Sequence, residues 1–333
     1  MKIIDFERML PISLVHKPSN DSVLLTDFVP LSNLETLIGA QLPKSHGLYQ
    51  ENLLDAKGYD IAVLIKACRQ SCFAIAHNQF ELLLSENKYQ FLFRELHAKI
   101  AIESFETKHP HGYPVQIYIY SYVEREIRTS GRTSGLLWRY IIKNIAEKEI
   151  AEIFIQQNFV DRVKWKQIRE KMCEQRGVVF KTPIEIPSKS EINPSDIGRW
   201  NPHNLVLHRV NKVGKIFEAL ARFDPRHPVL FDRPTADHIF AMTQLEVGRQ
   251  LAIYSVSKEM NVDPFLLKIC SCDTVFKSMG ELNIPTIVTA EVIDTKETNL
   301  NSAVVASVKI HLKQGERIVS VFDIGVYKER EQN

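Results

Sequence analysis

The stretch ADHIFAMTQLEVGRQLAIY, Ala236 to Tyr254, predicts one helix with apolar residues on nearly every side. Such a helix is normally buried, because a surface helix keeps a polar face toward water. The same stretch nevertheless carries Glu246, Arg249 and Gln250. Residues at positions i, i+3 and i+4 share one helix face. The stretch therefore raises two questions: what covers the helix on all sides, and what three polar side chains do inside.

Composition sets the broad class of the protein. The chain has 333 residues, a formal net charge of +2, 44% hydrophobic residues and 25% charged residues. This predicts a soluble globular chain of about two domains. The balanced charge gives no reason to expect nucleic acid or an anionic membrane as a partner. No apolar run reaches the roughly 18–20 residues of a membrane span, and the first residues do not resemble a signal peptide. We expect a cytoplasmic protein.

The cysteines do not predict a disulfide framework or a metal site. There are five, an odd and small number for this length. Cys68 and Cys72 lie four residues apart in a helical pattern, but no neighbouring His or Cys completes a zinc set. We expect them to be small buried residues. Nothing resembles a nucleotide-binding loop or a nucleophile elbow, so no cofactor and no metal are expected.

The chain contains an internal repeat. AQLPKSHGLYQ (40–50) resembles ARFDPRHPVLF (221–231), and each precedes an apolar helix, at 59–77 and at 236–254. His46 lies 23 positions before Arg69, and His227 lies 22 positions before Arg249. Such near-equal spacing beside matching flanks indicates a tandem duplication.

Further similarity extends the repeat at its start. LVHKPSNDSVLLTDF, which begins at residue 14, resembles VLHRVNKVGKIFEAL, which begins at residue 206. This alignment pairs His16 and Lys17 with His208 and Arg209. We expect both pairs to open their repeats at a strand end.

Each helix is followed by long segments rich in β-branched and aromatic residues, several of which alternate apolar and polar. These segments predict antiparallel strands, and they are 88–105, 112–127 and 136–157 in the first half and 267–279, 286–297, 301–314 and 317–328 in the second. Within the segment 136–157, the stretch LWRYIIKNIAEKEI (137–150) also suits a helix and is assigned to strand by symmetry. The sequence LKQGERI predicts a hairpin turn, and 160–175 predicts an amphipathic surface helix.

A sheet that curls around one central helix would bury that helix on almost all sides. The pattern therefore predicts an α+β fold, a tandem double hotdog in which each half is an antiparallel sheet wrapped around a central helix. We expect the first repeat at 1–178, a proline-containing connector at 179–200 and the second repeat at 201–333.

Two interpretations fit the polar residues inside the second helix. An unpaired charge in a core is costly, so the residues must find partners. They either form a bonded stripe that fixes the packing of the halves, or they form a site with a carboxylate of perturbed acidity. His227 upstream favours the site. In the same loop, Asp237 is expected to cap the helix, which would place His238 in the first turn.

The sequence HPVLFDRPTADHIFAMTQLEVGRQ, together with VHK, VLLTDF, AQLPKSHGLY, KACRQ and AIAH, resembles the A-factor biosynthesis hotdog family. These are the γ-butyrolactone synthases related to AfsA, and the resemblance covers roughly residues 14–80 and 206–328. Members carry two hotdog repeats. The resemblance implies an acyltransferase that moves a β-ketoacyl group from an acyl carrier protein or coenzyme A thioester to the hydroxyl of dihydroxyacetone phosphate. The product leads to a butenolide and a signalling lactone.

The Glu-x-x-Arg motif of the family falls on Glu246 and Arg249. The resemblance implies that Glu246 is the general base on the acceptor hydroxyl, and that Arg249 holds the phosphate or the oxyanion. His227 is expected to polarise the acyl carbonyl or to bind the carrier arm. Gln250, together with Asp237 and His238 of the loop, completes the expected substrate contacts.

The first repeat departs from this pattern, because Lys66 stands where the second has Glu246. A lysine serves as the same base only if its pKa is strongly depressed. Lys66, Arg69 and His46 would bind an anion such as phosphate, or this half is structural. Two other functions stay open: a thioesterase or dehydratase on acyl thioesters, and a non-catalytic acyl-binding regulator. Pairing into a homodimer is also left open.

Overall fold

The computed structural model describes residues 4–43, 46–49, 51, 60–80, 82, 88–106, 115–178, 188–231, 237–297 and 304–328. The chain divides into two compact units. The first comprises Met1–Lys44, Val63–Ala101 and His109–Thr182, and the second comprises Ser45–Ala62, Ile102–Lys108 and Pro183–Asn333. Of the expected connector, 179–187 lie outside the described residues, as do Asp232 and Arg233 of the loop before the second helix. The expected boundaries at 178 and 201 stay a prediction.

The first unit is one antiparallel sheet with a buried helix. Its strands are β1 (Leu25–Pro30), β2 (Glu35–Leu42), β3 (Tyr89–Ile100), β4 (Val115–Thr129), β5 (Arg132–Asn144) and β6 (Glu149–Asp161). They lie in the order β1-β2-β4-β5-β6-β3. Helix α1 (Ile61–Gln79) is buried at every residue from 61 to 76 except Arg69. Helix α2 (Arg162–Gln175) is amphipathic, as predicted, and Asp161 caps it.

The second unit repeats this topology. Its strands are β7 (Leu207–Val213), β8 (Ile216–Ala221), β9 (Leu267–Phe276), β10 (Ile287–Glu297), β11 (Val304–Gln314) and β12 (Arg317–Lys328). They pair in the order β7-β8-β10-β11-β12-β9, which is the order of the first unit. Helix α3 (Ala241–Met260) contacts all six strands. The tandem double hotdog is therefore confirmed.

Two glutamines at equivalent helix positions show how the repeats correspond. In the first unit, Gln70 accepts from the Leu24 amide at 2.9 Å and donates to the Ser22 carbonyl at 2.8 Å. In the second, Gln250 accepts from the Val206 amide at 3.0 Å and donates to the Asn204 carbonyl at 2.7 Å. Each glutamine thus ties its buried helix to the chain that enters the first strand of the sheet.

This correspondence corrects the expected alignment at the start of the repeats. His16 and Lys17 precede β1, whereas His208 and Arg209 lie within β7. The pairing of His16–Lys17 with His208–Arg209 is wrong, because the glutamine bonds set the register and the short apolar–His–basic similarity does not.

Two local expectations have different outcomes. The ambiguous stretch 137–150 forms most of β5, a turn after Asn144 and the start of β6, so the assignment to strand rather than helix is confirmed. The helix expected from residue 236 begins at Ala241 instead, and residue 236 lies outside the described residues. The N-cap is Phe240, so the expectation that Asp237 caps the helix and that His238 lies in its first turn is wrong. The amide of Ile239 donates to the Gly280 carbonyl at 2.8 Å, which holds the chain in a non-helical path before the helix.

Candidate functional site

Glu246 lies on α3 with only 2% of its side chain exposed. Its Oε1 accepts from Arg199 Nη2 at 2.6 Å and from Gln250 Nε2 at 2.7 Å, and Arg249 Nη1 lies 3.5 Å away. Its Oε2 is buried and has no hydrogen-bond partner among the residues that the structure describes. One oxygen of this carboxylate is therefore saturated, and the other is left as an unused acceptor.

The surroundings of Glu246 favour its charged form. Burial acts to raise the pKa of Glu246, but the guanidinium groups of Arg199 and Arg249 and the bond from Gln250 outweigh it, and the pKa is lowered. Glu246 is therefore an anion at neutral pH. An ionised carboxylate with one free oxygen can accept a hydrogen bond or a proton from a ligand.

Arg199 is the residue that the sequence interpretation missed. It follows a short 3-10 helix, Pro194–Ile197, inside the segment that was expected to be a connector. Its side chain is 3% exposed, and it donates to the Leu48 carbonyl as well as to Glu246. Burial acts to lower the pKa of Arg199, but the carboxylates around it outweigh this and raise it. The sequence signal was the capping box at Asn193, which predicts an ordered turn rather than a loose linker.

Arg249 is held more loosely than Arg199. Its Nη1 lies 3.5 Å from Glu246 Oε1 and its Nη2 lies 3.6 Å from Asp60 Oδ2. Within the described part of the chain, Nη1 makes no hydrogen bond. Its side chain is 12% exposed, four times the fraction of Arg199. Asp60 itself accepts from the Ala62 amide at 2.8 Å. Of the two guanidinium groups beside Glu246, that of Arg249 is the one with capacity for an anionic ligand.

His227 is buried with both ring nitrogens occupied. Its Nδ1 accepts from the amides of Val229 and Leu230 at 3.2 and 3.1 Å, which assigns the proton to Nε2. Nε2 then donates to Asn204 Oδ1 at 2.8 Å. Burial lowers the pKa of His227, so the ring is neutral at neutral pH. Its expected contact with the acyl carbonyl stays a prediction, and that contact would require this network to open.

His46 forms the same turn in the first repeat. Its Nδ1 accepts from the amides of Leu48 and Tyr49 at 3.2 and 3.3 Å. This turn belongs to the second unit, where its Gly47 and Leu48 carbonyls accept from Asn204 and Arg199. The equivalent histidines therefore shape a turn in each repeat, and each turn bonds to a residue of the network around Glu246, through Asn204 or Arg199.

The other expected site residues lie elsewhere. Asp237 and His238 bond to each other at 2.6 Å before α3. Lys66 is buried on α1, and the guanidinium of Arg69 lies 5.3 Å from the centre of the Phe73 ring. Lys66 and Arg69 belong to the first unit, whereas His46 belongs to the second. Their roles as ligand contacts stay predictions. In the described part of the chain, no three His, Cys, Asp or Glu residues are placed to hold a metal ion.

Each unit pairs a buried helix with a sheet of six antiparallel strands, and α3 contacts all six strands of its sheet. An acid and two arginines lie on and beside α3. These features define a tandem hotdog protein with a charged centre in the second unit. The family model described as the A-factor biosynthesis hotdog domain, AfsA, matches residues 2–161 and 184–324. The chain belongs to this family.

Solved structures share the fold at very low sequence identity. A protein described as an oleoyl thioesterase from Lactobacillus plantarum matches at a TM-score of 0.50 and 8% identity, over 89% of this chain and 97% of its own. The 12:0-ACP thioesterase from Umbellularia californica matches at a TM-score of 0.50 and 8% identity, over 88% and 94%. A comparison with curated protein sequences gave no match. Among the described helices, none is both long and apolar enough to span a bilayer.

Proposed function

We propose that the chain is an acyltransferase that joins a β-ketoacyl thioester to the hydroxyl of dihydroxyacetone phosphate. Membership of the AfsA family supports the reaction class. The observation that carries the proposal is the free Oε2 of Glu246, an ionised and buried acceptor beside an arginine that makes weak contacts. The acyl donor is a thioester of an acyl carrier protein or of coenzyme A.

Glu246 is the acceptor for the proton of the attacking hydroxyl. As the hydroxyl oxygen forms a bond to the acyl carbonyl carbon, its proton moves to Oε2, and the carbon–sulfur bond then breaks. The proton passes from Glu246 to the departing thiolate, so the carboxylate is regenerated. Because its pKa is lowered, Glu246 is a weak base, and proton transfer accompanies carbon–oxygen bond formation rather than preceding it.

Arg249 supplies the positive charge that this reaction requires. The acceptor carries a phosphate and the transition state carries an oxyanion, and a guanidinium can donate two parallel hydrogen bonds to either. The carboxylates of Glu246 and Asp60 lie 3.5 and 3.6 Å from Arg249, so this guanidinium can bind a new anion without losing a short bond to either of them. The Asp60 carboxylate lies 3.6 Å from Nη2 of Arg249 and gives this guanidinium a second anionic neighbour besides Glu246.

The first repeat contributes support rather than a second reaction. Lys66 stands in place of Glu246, so the first helix has no carboxylate at this position. The turn that starts at His46, together with Glu51 and Asp60, instead contacts the arginines and Asn204 around Glu246. One chain therefore has one reacting centre of this kind.

The test is mass spectrometry of reactions with a β-ketoacyl thioester, with and without dihydroxyacetone phosphate. A phosphorylated acyl ester that forms only when both are present supports the proposal. Thioester consumption that does not depend on dihydroxyacetone phosphate would instead identify a hydrolase. Binding of the thioester without turnover would identify an acyl-binding protein.

Glu246→Gln keeps the side-chain shape and removes the base, so it should lower turnover by about 10²–10⁴-fold. The matched control is Glu281→Gln, at a glutamate that is also buried in the second unit. The control should keep turnover near that of the unaltered protein. Equal loss in both variants would assign the effect to folding rather than to chemistry.

A further inference from the structure

We propose that Arg199 is a positioning residue of this site, which fixes the Glu246 carboxylate so that Oε2 faces the substrate. The inference rests on the proposed function. The supporting observation is the asymmetry at Glu246. Arg199, Gln250 and Arg249 all lie near Oε1, whereas the described residues supply no hydrogen-bond donor to Oε2. The shortest of these contacts, 2.6 Å, comes from Arg199.

The contacts fix the plane of the carboxylate, because one oxygen position receives the short bonds from both Arg199 and Gln250. A half-turn only interchanges two equivalent oxygens, whereas any smaller rotation would lengthen the bond from Arg199 or force Gln250 to move. Gln250 is fully buried and tied at the same time to the Val206 amide and the Asn204 carbonyl. Arg199 and Gln250 together therefore define one orientation of the Glu246 side chain.

Arg199 is itself held from several directions. Its Nη1 donates to the Leu48 carbonyl and lies 3.7 Å from Glu51 Oε1. Glu51 in turn accepts from the amides of Trp200 and Asn201 at 2.6 and 2.9 Å, which anchors the backbone directly after Arg199. The guanidinium and the chain segment that carries it are thus fixed by the same carboxylate.

The chain of contacts continues to the histidine turn. Asn204 donates to Glu51 Oε1, and its own Oδ1 accepts from His227 Nε2. A continuous path therefore runs from His227 through Asn204, Glu51 and Arg199 to Glu246. His227 acts on Glu246 through this path, which explains why a buried neutral imidazole with both nitrogens occupied accompanies the centre.

An arginine suits this position better than a lysine. The planar guanidinium donates in two fixed directions, here to Glu246 and to the Leu48 carbonyl. A lysine has one ammonium group on a flexible stem and cannot maintain both directions with the same geometry. Arg199→Lys should therefore keep the charge and lose part of the orientation, whereas Arg199→Met should lose both.

The experiment measures kcat and KM across pH for Arg199→Lys and Arg199→Met. Misorientation of a reacting group by about 1 Å costs about 10²-fold, so we expect kcat to fall about 10²-fold in Arg199→Met and less in Arg199→Lys. KM for the thioester should change little. Loss of an adjacent positive charge should move the acid limb of the pH profile upward by about one pH unit or more in Arg199→Met only.

Two controls separate positioning from general stability. Arg317→Met removes another partly buried arginine of the second unit, one that bonds the Met279 carbonyl and Gln314, and should leave the pH profile unchanged. His227→Gln keeps a donor for Asn204, whereas His227→Asn keeps the turn and loses that donor. We expect the Gln variant to retain more turnover than the Asn variant. If Arg199→Met does not fold, Arg199→Lys carries the test.

The outcomes distinguish the inference from the proposed function. If the unaltered protein forms no ester, the proposed function fails. The role of Arg199 is then tested by whether Arg199→Met raises the pH at which Glu246 takes up its proton. This pH is read from the dependence of unfolding free energy on pH, with Glu246→Gln as the variant that lacks the titrating group. If the unaltered protein is active and Arg199→Met keeps its kcat and its pH profile, the positioning role is overturned.

Discussion

The equivalent glutamines offer a matched pair of mutations, Gln70→Met and Gln250→Met. Methionine keeps the length and approximate volume of glutamine but replaces its hydrogen-bonding amide with a thioether. Each substitution removes the partner of one backbone amide and one backbone carbonyl. These bonds are buried except the one to the Ser22 carbonyl, which is part-buried. Gln250→Met also removes one of the two short hydrogen bonds to Glu246.

The expected cost follows from these contacts. A buried polar group left without a partner costs about 1–3 kcal/mol, so two such groups cost about 2–6 kcal/mol in either variant. The lost bond to the charged Glu246 adds about 1.5–3 kcal/mol to Gln250→Met. Gln250→Met should therefore be destabilised by about 1.5–3 kcal/mol more than Gln70→Met.

Urea unfolding measures the free energy of each variant from the midpoint and slope of the transition. Turnover, measured under conditions where both variants are folded, should fall at least about tenfold in Gln250→Met. Turnover should stay near the unaltered value in Gln70→Met, since Gln70 bonds the chain before β1 in the first unit and lies outside the Glu246 site. A cost below about 1 kcal/mol in either variant, or equal loss of turnover in both, would refute this reasoning.

Three further predictions follow from single features of the structure. Gly198 has a left-handed backbone with φ of 64°, and an added Cβ would lie 2.8 Å from the Pro264 carbonyl oxygen, so Gly198→Ala should lower both stability and turnover. The control Gly214→Ala, at φ of 61° with open space around it, should lower the free energy of unfolding by only about 1–2 kcal/mol and leave turnover unchanged, as measured by thermal melts and kinetics. All five cysteines are buried, and burial raises the pKa of Cys72 to about 12, so iodoacetamide at about pH 8 should label none in the native protein and five in urea; native labelling, read by mass, would contradict this. Because its pKa is lowered, ionised Glu246 stabilises the fold at pH values above the ordinary glutamate pKa, and this stabilisation is lost as pH falls through the lowered pKa. The difference in melting temperature between the unaltered protein and Glu246→Gln should therefore shrink with acidification, and a constant difference would contradict the lowered pKa of Glu246.

Much of the fold could be predicted because the spacing of apolar residues indicates which segments are helices and strands and which of their faces are buried. A helix that is apolar on all sides requires a cover, and the long alternating segments supply one. The duplication then made the assignment of 137–150 possible, although its charges suited a helix equally well. The start of the second helix could not be predicted, since Phe240 caps it without a side-chain bond and leaves no capping signal.

The centre of the site was only partly predictable. Glu246 and Arg249 stand out because charges inside an apolar helix need partners. Arg199, Glu51 and Asp60 are distant from them in sequence, and only the folded chain brings these three to α3. His227 was expected to contact substrate, but its bonds inside the protein could not be predicted. Sequence spacing shows that a histidine precedes the helix, and it does not show which groups bond to the two ring nitrogens.

A structure of the complex with a non-hydrolysable β-ketoacyl thioester analogue tests the central claim most directly. We expect the carbonyl carbon that would be attacked to lie beside Glu246, with an acceptor analogue within about 3.5 Å of Oε2 and its phosphate or the carbonyl oxygen bonded to Arg249. A ligand seated beside Lys66 on α1, with Oε2 of Glu246 still without a partner, would contradict the claim.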